Sequence, residues 1–148
     1  MAHGSTDAPV CTDCHGEHVI LAPSQPESTV SPARVSIVTC GRCHGNTTLA
    51  APYNLRADRV PTFADSYHGL AAREGSQTVA NCASCHGVHN IFPTSDPRST
   101  VNPANLAHTC GACHPGAAKT FAIGPVHVQP KSLAESPAVR IIRHSTWL

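Results

Sequence analysis

The 148-residue sequence predicts a mainly irregular fold of short α-helices with little or no β-sheet, wrapped around bound groups instead of an ordinary side-chain core. Three observations predict it. Leu, Ile, Val and Phe number 28, or 19% of the chain, just under the level at which a packed core becomes doubtful. Charged residues make up 13% and the net charge is +1, so the chain lacks the high net charge that accompanies disorder. Against these deficits stand eight Cys and eleven His, while Phe63, Phe92, Phe121, Tyr53, Tyr67 and Trp147 are all the aromatic residues. The length allows one domain or two very small ones.

The same counts exclude several function classes. A near-neutral chain with no Lys/Arg cluster has no basic stripe to neutralise phosphates, so nucleic acid is not an expected partner. No run of 18 apolar residues is present, so no segment reads as a bilayer span. The opening Met1-Ala-His-Gly-Ser-Thr-Asp7 has no charged leader followed by an apolar stretch, so no export signal is read here. The expectation is a protein that stays inside, or a mature or trimmed piece of a longer precursor.

All eight cysteines fall into C-x-x-C pairs, each followed at once by His: Cys11/Cys14/His15, Cys40/Cys43/His44, Cys82/Cys85/His86 and Cys110/Cys113/His114. This string is the c-type haem attachment signature. On a helical turn residues i, i+3 and i+4 share a face, so two sulfurs can bond the former vinyl groups while the imidazole reaches the iron. A disulfide scaffold needs no His after each pair, and thioredoxin-like motifs do not come four to a chain. Zinc knuckles use the same ligand types but leave the fifth residue of all four copies unexplained. The reading is four covalently attached haem c groups, with His15, His44, His86 and His114 as proximal iron ligands.

The elements follow in order from a duplication. The motifs start 29, 42 and 28 residues apart, and residues 11–32 align with 82–103 at an offset of 71, matching Cys, Cys, His, Gly, His, Ser24/Ser95, Pro26/Pro97, Ser28/Ser99, Thr29/Thr100, Val30/Val101 and Pro32/Pro103. One deletion then aligns the second motif of each half, so the chain is a doubled two-haem module. Ser31-Pro32 and Asn102-Pro103 read as N-cap and N1, each opening a short helix toward the next motif. The Pro/Ser-rich stretch before each is a loop between haems. Asp65-Ser66 caps a helix from Tyr67 to Glu74, closed by Gly75. Ser136-Pro137 opens a last helix carrying Val139, Ile141, Ile142, Trp147 and Leu148. The division is residues 1–46 as first dihaem module, 47–67 as linker, 68–116 as second dihaem module, and 117–148 as C-terminal loop and helix.

Seven His remain for four distal positions: His3, His18, His68, His89, His108, His127 and His144. Met1 is the only methionine, so His/Met ligation is excluded as a general answer and bis-histidine ligation is expected. His18 and His89 lie in the duplicated C-x-x-C-H-G-x-H, on the proximal side of their own haem, and are placed to serve a neighbouring haem, most simply the partner in their own module. The competing reading of each is a surface imidazole. His68, in Ser-Tyr-His-Gly, and His3, in the matching His-Gly, complete the set as distal ligands. His127, in Gly-Pro-Val-His-Val, is the substitute, or serves a haem in a neighbouring chain. His108 and His144 have no counterpart in the other half and read as surface residues.

On these motifs the chain resembles the multihaem cytochromes c of bacterial and archaeal respiration, specifically tetrahaem modules of the cytochrome c3 and doubled C-x-x-C-H kind. The resemblance covers roughly residues 3–127 and rests on the four C-x-x-C-H strings and the two C-x-x-C-H-G-x-H strings. It also looks like the extracytoplasmic head of membrane-anchored members, in which a similar Gly-Pro-Val-His-Val segment precedes a transmembrane anchor. In that reading Arg140-Ile-Ile-Arg143 and Trp147-Leu148 form the approach to an anchor absent from this chain; a soluble C-terminal helix explains the same residues. The resemblance implies a periplasmic, cell-surface or extracellular location. Redox proteins or quinol-linked membrane components would be the partners.

With one haem per 37 residues, neighbouring porphyrins must lie near contact. The expected function is electron transfer along four bis-His haems in anaerobic-type respiration, without bond chemistry. Two alternatives stand beside it: a protomer of an extracellular cytochrome filament or homo-oligomer, and a multihaem reductase of nitrogen or sulfur oxyanions with one open iron. No nucleophile or acid–base pair stands out for enzymatic turnover. The haem propionates would bring the net charge from +1 to about −7 with all irons ferrous and about −3 with all ferric.

Overall fold

The computed structural model describes residues 8–118, 121 and 125–128. The expected C-terminal helix, the approach to an anchor, and His3 and His144 lie outside these residues. Among the described residues the chain is a string of short helical turns joined by tight turns, with no strand. This matches the mainly irregular, short-helix architecture expected from composition.

Each module opens on a one-turn helix made by its first motif, α1 (Cys11–His15) and α6 (Cys82–His86). Short polar side chains close the N-termini. The Asp13 carboxylate accepts from the Val10 amide at 2.8 Å, and the Asn81 amide oxygen accepts from the Ser84 amide at 3.1 Å while Ser84 Oγ accepts from the Asn81 amide at 3.2 Å. These satisfy amides that one turn of helix leaves without partners. Both helices stop at glycine in the left-handed region, Gly16 at φ +80° and Gly87 at φ +79°, where a side chain would be strained.

The duplication extends to hydrogen bonds. Thr29 Oγ1 donates to the Cys14 carbonyl and Thr39 Oγ1 to the Thr29 carbonyl at 2.7 Å. In the second half Thr100 Oγ1 donates to the Cys85 carbonyl and Thr109 Oγ1 to the Thr100 carbonyl at 2.6 Å. Two threonines thus tie the first motif of each module to the residue just before the second. Ser28 and Ser99 are buried, each donating at 3.2 Å to the carbonyl seven residues earlier, Leu21 or Phe92.

The helices leading into the second motifs differ from expectation at their starts. Ser31 and Asn102 do not cap them. Ser31 Oγ donates to the Pro26 carbonyl at 3.2 Å, and Asn102 Oδ1 accepts from the Ala104 amide at 3.0 Å in a local turn. The helices begin about one turn later, as a wide π-helical segment at Val35–Cys40 and as α7 (Leu106–Gly111). Side chains that can bond nearby backbone compete with helix initiation, and Val35, Ile37, Val38 and Thr39 are a β-branched run that fits an α-helix poorly. The segment continues into α2 (Gly41–His44).

The stretch read as a linker is more structured than that. It contains α3 (Thr47–Ala50), a 3-10 turn at Ala51–Tyr53 and α4 (Arg59–Ala64). Asn46 caps α3 by accepting from Thr48 and Leu49 amides. Next comes α5 (Tyr67–Arg73), capped as expected by Ser66, whose Oγ accepts from the Gly69 amide at 3.2 Å, with Gly75 at φ +92° just past its end. The turn from α4 to α5 is tight because residue 69 has no side chain: a Cβ there would stand 2.1 Å from the Phe63 carbonyl oxygen.

Only Val35, Ala50 and Phe63 are buried apolar side chains among the described residues, while Val19, Ile20, Ile37, Val88 and Ile91 are exposed. So small an apolar interior cannot offset the conformational entropy of more than a hundred ordered residues. The modules meet where the Cys82 amide donates to Ser36 Oγ at 3.1 Å and Asn81 Nδ2 to the Pro32 carbonyl at 3.5 Å. Among the described residues no helix is long and apolar enough to cross a membrane.

Candidate functional site

The helical turns do what the motif spacing requires. In α1 and α6 the two cysteines and the His of one motif share a single turn. In the second motif Cys40 ends the wide segment and Cys43 and His44 lie in α2. In the fourth Cys110 lies in α7, and the His114 amide donates to the Cys110 carbonyl at 2.9 Å, which keeps the helical spacing through the following turn. All eight cysteines are unpaired.

The four motifs are gathered, not dispersed. The Cys40 and Cys82 thiols are neighbours across the module boundary, and their interaction holds Cys40 above the ordinary thiol range and Cys82 below it. Cys14 is raised by burial and by its neighbours Asp13 and Cys43, and Cys85 by burial and Cys110. Consecutive motifs therefore stand side by side in chain order.

The imidazoles carry the most informative geometry. His15 faces His89 with ring centres 6.4 Å apart, His114 faces His68 at 6.2 Å, and His86 faces His127 at 6.3 Å. Each pair joins one motif His to one His outside the motifs. The interplanar angle ranges from 29° to 54° while the separation is nearly constant. A nitrogen-to-metal bond of about 2.0 Å, with the ring centre about 1.1 Å behind the nitrogen, puts two imidazoles on opposite sides of one metal ion about 6.2 Å apart, at any rotation about the common axis. The three pairs fit an axially ligated ion.

Their electrostatics agree. Burial lowers the pKa of His68, with His114 adding to the effect. Burial also lowers His86, helped by His127 and His44, and it lowers His127. A neutral imidazole has the lone pair that a metal needs. His127 is further oriented: its Nδ1 donates to the Arg59 carbonyl at 3.0 Å and lies 3.2 Å from Thr62 Oγ1, leaving Nε2 for His86. The outer hydrogen bond to a carbonyl sets the tautomer, as with many metal-bound imidazoles. The Val128 amide donates to the Thr62 carbonyl at 3.0 Å, pinning the same segment to α4.

The structure therefore places His68 and His127 against motif imidazoles, and it corrects the route taken by His89. His89 stands against His15, in the first motif of the other module, and not against a motif of its own; Gly87, at φ +79°, turns the chain out of the helical line just before it. His18, its twin, faces no imidazole among the described residues: its side chain is 94% exposed and its ring lies 3.9 Å from the Glu17 carboxylate. His44 has no facing ring among the described residues, and His3, expected as a ligand, is outside them. His108 is exposed, as read from sequence. One signal would have promoted His127 from substitute: Thr-Phe-Ala at 62–64 precedes His68 and recurs at 120–122 before His127. Among the described residues no three His, Cys, Asp or Glu side chains converge as a cage; the imidazoles come as opposed pairs. No family model matches the chain, and no curated protein or solved structure matches it.

Proposed function

We propose that this protein is an electron carrier holding four c-type haems, three of them bis-imidazole ligated within the described residues, and that it works outside the cytoplasm in anaerobic-type respiration. The observation that carries the reading is the set of three opposed imidazole pairs, each on a different C-x-x-C-H motif. Cys11 and Cys14 tether the first group between His15 and His89, and Cys40 and Cys43 the second beside His44. Cys82 and Cys85 tether the third between His86 and His127, and Cys110 and Cys113 the fourth between His114 and His68. When bound, the haem irons supply reversible one-electron chemistry, passed between neighbouring porphyrins.

The chain's own residues tether, saturate and align. Thioethers fix each group to a helical turn. At three of the four motifs a second imidazole would hold the bound group opposite the motif His and leave no site there for a substrate, which supports a carrier over an enzyme. The threonine relays and the Ser36–Cys82 contact keep successive motifs adjacent, so the row runs first, second, third, fourth motif. Redox proteins or quinol-linked membrane components would be the partners, and nucleic acid would not.

The test is ligand uptake by the reduced protein. An all low-spin spectrum with no carbon monoxide binding at any of the four irons is expected. Uptake of carbon monoxide or nitrite by any of the four irons in the native protein would overturn the carrier reading and favour the oxyanion reductase.

A further inference from the structure

The two C-x-x-C-H-G-x-H strings are built alike but end differently. Both follow a one-turn helix, both leave it through a glycine near φ +80°, and both are braced by the same pair of threonines. The second string sends His89 away from its own module to the first motif of the other, at His15. It is a docking arm between successive repeats. The first string leaves His18 facing no imidazole among the described residues, with its side chain 94% exposed.

The position that would receive such an arm is equally identifiable. The arm of module two lands opposite His15, whose counterpart in module two is His86. In an array of these repeats the next arm would land opposite His86. That place is filled from within the chain by His127, held by the Arg59 carbonyl, Thr62 and the Val128–Thr62 bond. Repeat arrays need terminal elements that cover the last docking face.

We propose that His127 is an end cap occupying the seat of a repeat arm, and that His18 is the arm of a second copy of this chain that takes the seat when the cap is withdrawn. The joint is heterologous, head to tail, so copies joined through it extend as an open series or close into a ring. The proposal rests on the haem reading above, because the bond that makes the joint is one imidazole replacing another on the same iron.

The experiment compares the haem-loaded native chain with His127→Ala and with the double variant His127→Ala/His18→Ala, by sedimentation and ferric EPR. Four low-spin haems in a native monomer are checked first; their absence defeats the underlying reading and not this one. His127→Ala is expected to at least double in mass while its third iron stays low-spin, and free imidazole should return it to monomer. The double variant should stay monomeric with one additional high-spin iron. Thr62→Val, which keeps the ligand and loosens its seat, should self-associate only at higher concentration, a check that does not depend on His127→Ala folding. A His127→Ala chain that stays monomeric with an open iron would overturn the proposal. So would a native chain that assembles through His18 with His127 still bound.

Discussion

Gly69→Ala tests the geometry of one imidazole pair without touching a ligand. Residue 69 lies in α5 beside His68, and a Cβ there would stand 2.1 Å from the Phe63 oxygen, 2.6 Å from Ala64 Cα and 2.8 Å from the Ala64 oxygen. All three are backbone atoms of the α4 end and its turn, so no side chain can rotate away. Restoring ordinary contact requires α5 to move by about 1 Å relative to α4, a distortion of the overpacking kind that costs about 1–3 kcal/mol. His68 moves with it, and a coordinate bond of about 2.0 Å does not stretch by half an ångström. The pair with His114, now at 6.2 Å, should open. Ferric EPR should show about one quarter of the haem turned high-spin, with carbon monoxide uptake at that iron and full haem content retained. Gly111→Ala is the control: nothing lies within 4 Å of its added Cβ, and the third motif already carries Ala83 at the same place. A Gly69→Ala protein with an unchanged low-spin spectrum would refute the reasoning.

Four further outcomes are expected. His89→Ala should open the iron tethered at Cys11 and Cys14, in the other module, adding one carbon monoxide site per chain; an unchanged carbon monoxide titration would contradict the crossed pairing. Thr62→Val removes one acceptor from His127 Nδ1 and makes that imidazole a weaker donor to ferric iron. Up to about 1 kcal/mol of unequal stabilisation is about 40 mV for one electron, so voltammetry should find one potential raised by roughly 20–40 mV and restored by Thr62→Ser. Replacing all eight cysteines by Ala should abolish cooperative thermal unfolding, because thioethers and iron ligation act as the staples that a small apolar interior needs; a sharp far-UV transition would argue against it. Arg98 bonds the Asp96 carboxylate and holds its pKa down at about 2. The resulting stability is present above the ordinary carboxylate pKa and lost as pH falls through about 2, and Arg98→Ala should return the NMR titration of Asp96 toward 3.8.

What was legible in the sequence follows the range of the interactions. The C-x-x-C-H turns, the Ser66 cap and the Gly75 stop are local, and residue type and spacing suffice to place them. The duplication was legible as identities, and the threonine relays explain why Thr29 and Thr100 recur: each accepts one bond and donates another to keep two motifs in register. The pairing of His89 with His15 was not legible, because it joins residues 74 apart through a turn at Gly87 whose direction no local pattern encodes. The helices at 47–64 were read as linker for a similar reason. Their main service, holding His127 through Thr62 and Arg59, comes from a contact more than sixty residues away in sequence. Ser31 and Asn102 misled because a side chain that can cap a helix can equally bond its own loop.

The most direct test of the central claim is the haem content of the mature protein. Intact mass together with a pyridine haemochrome spectrum should give four covalent haems per chain, one for each of the motifs at Cys11, Cys40, Cys82 and Cys110. Fewer than four, or zinc at the same cysteines, would contradict it.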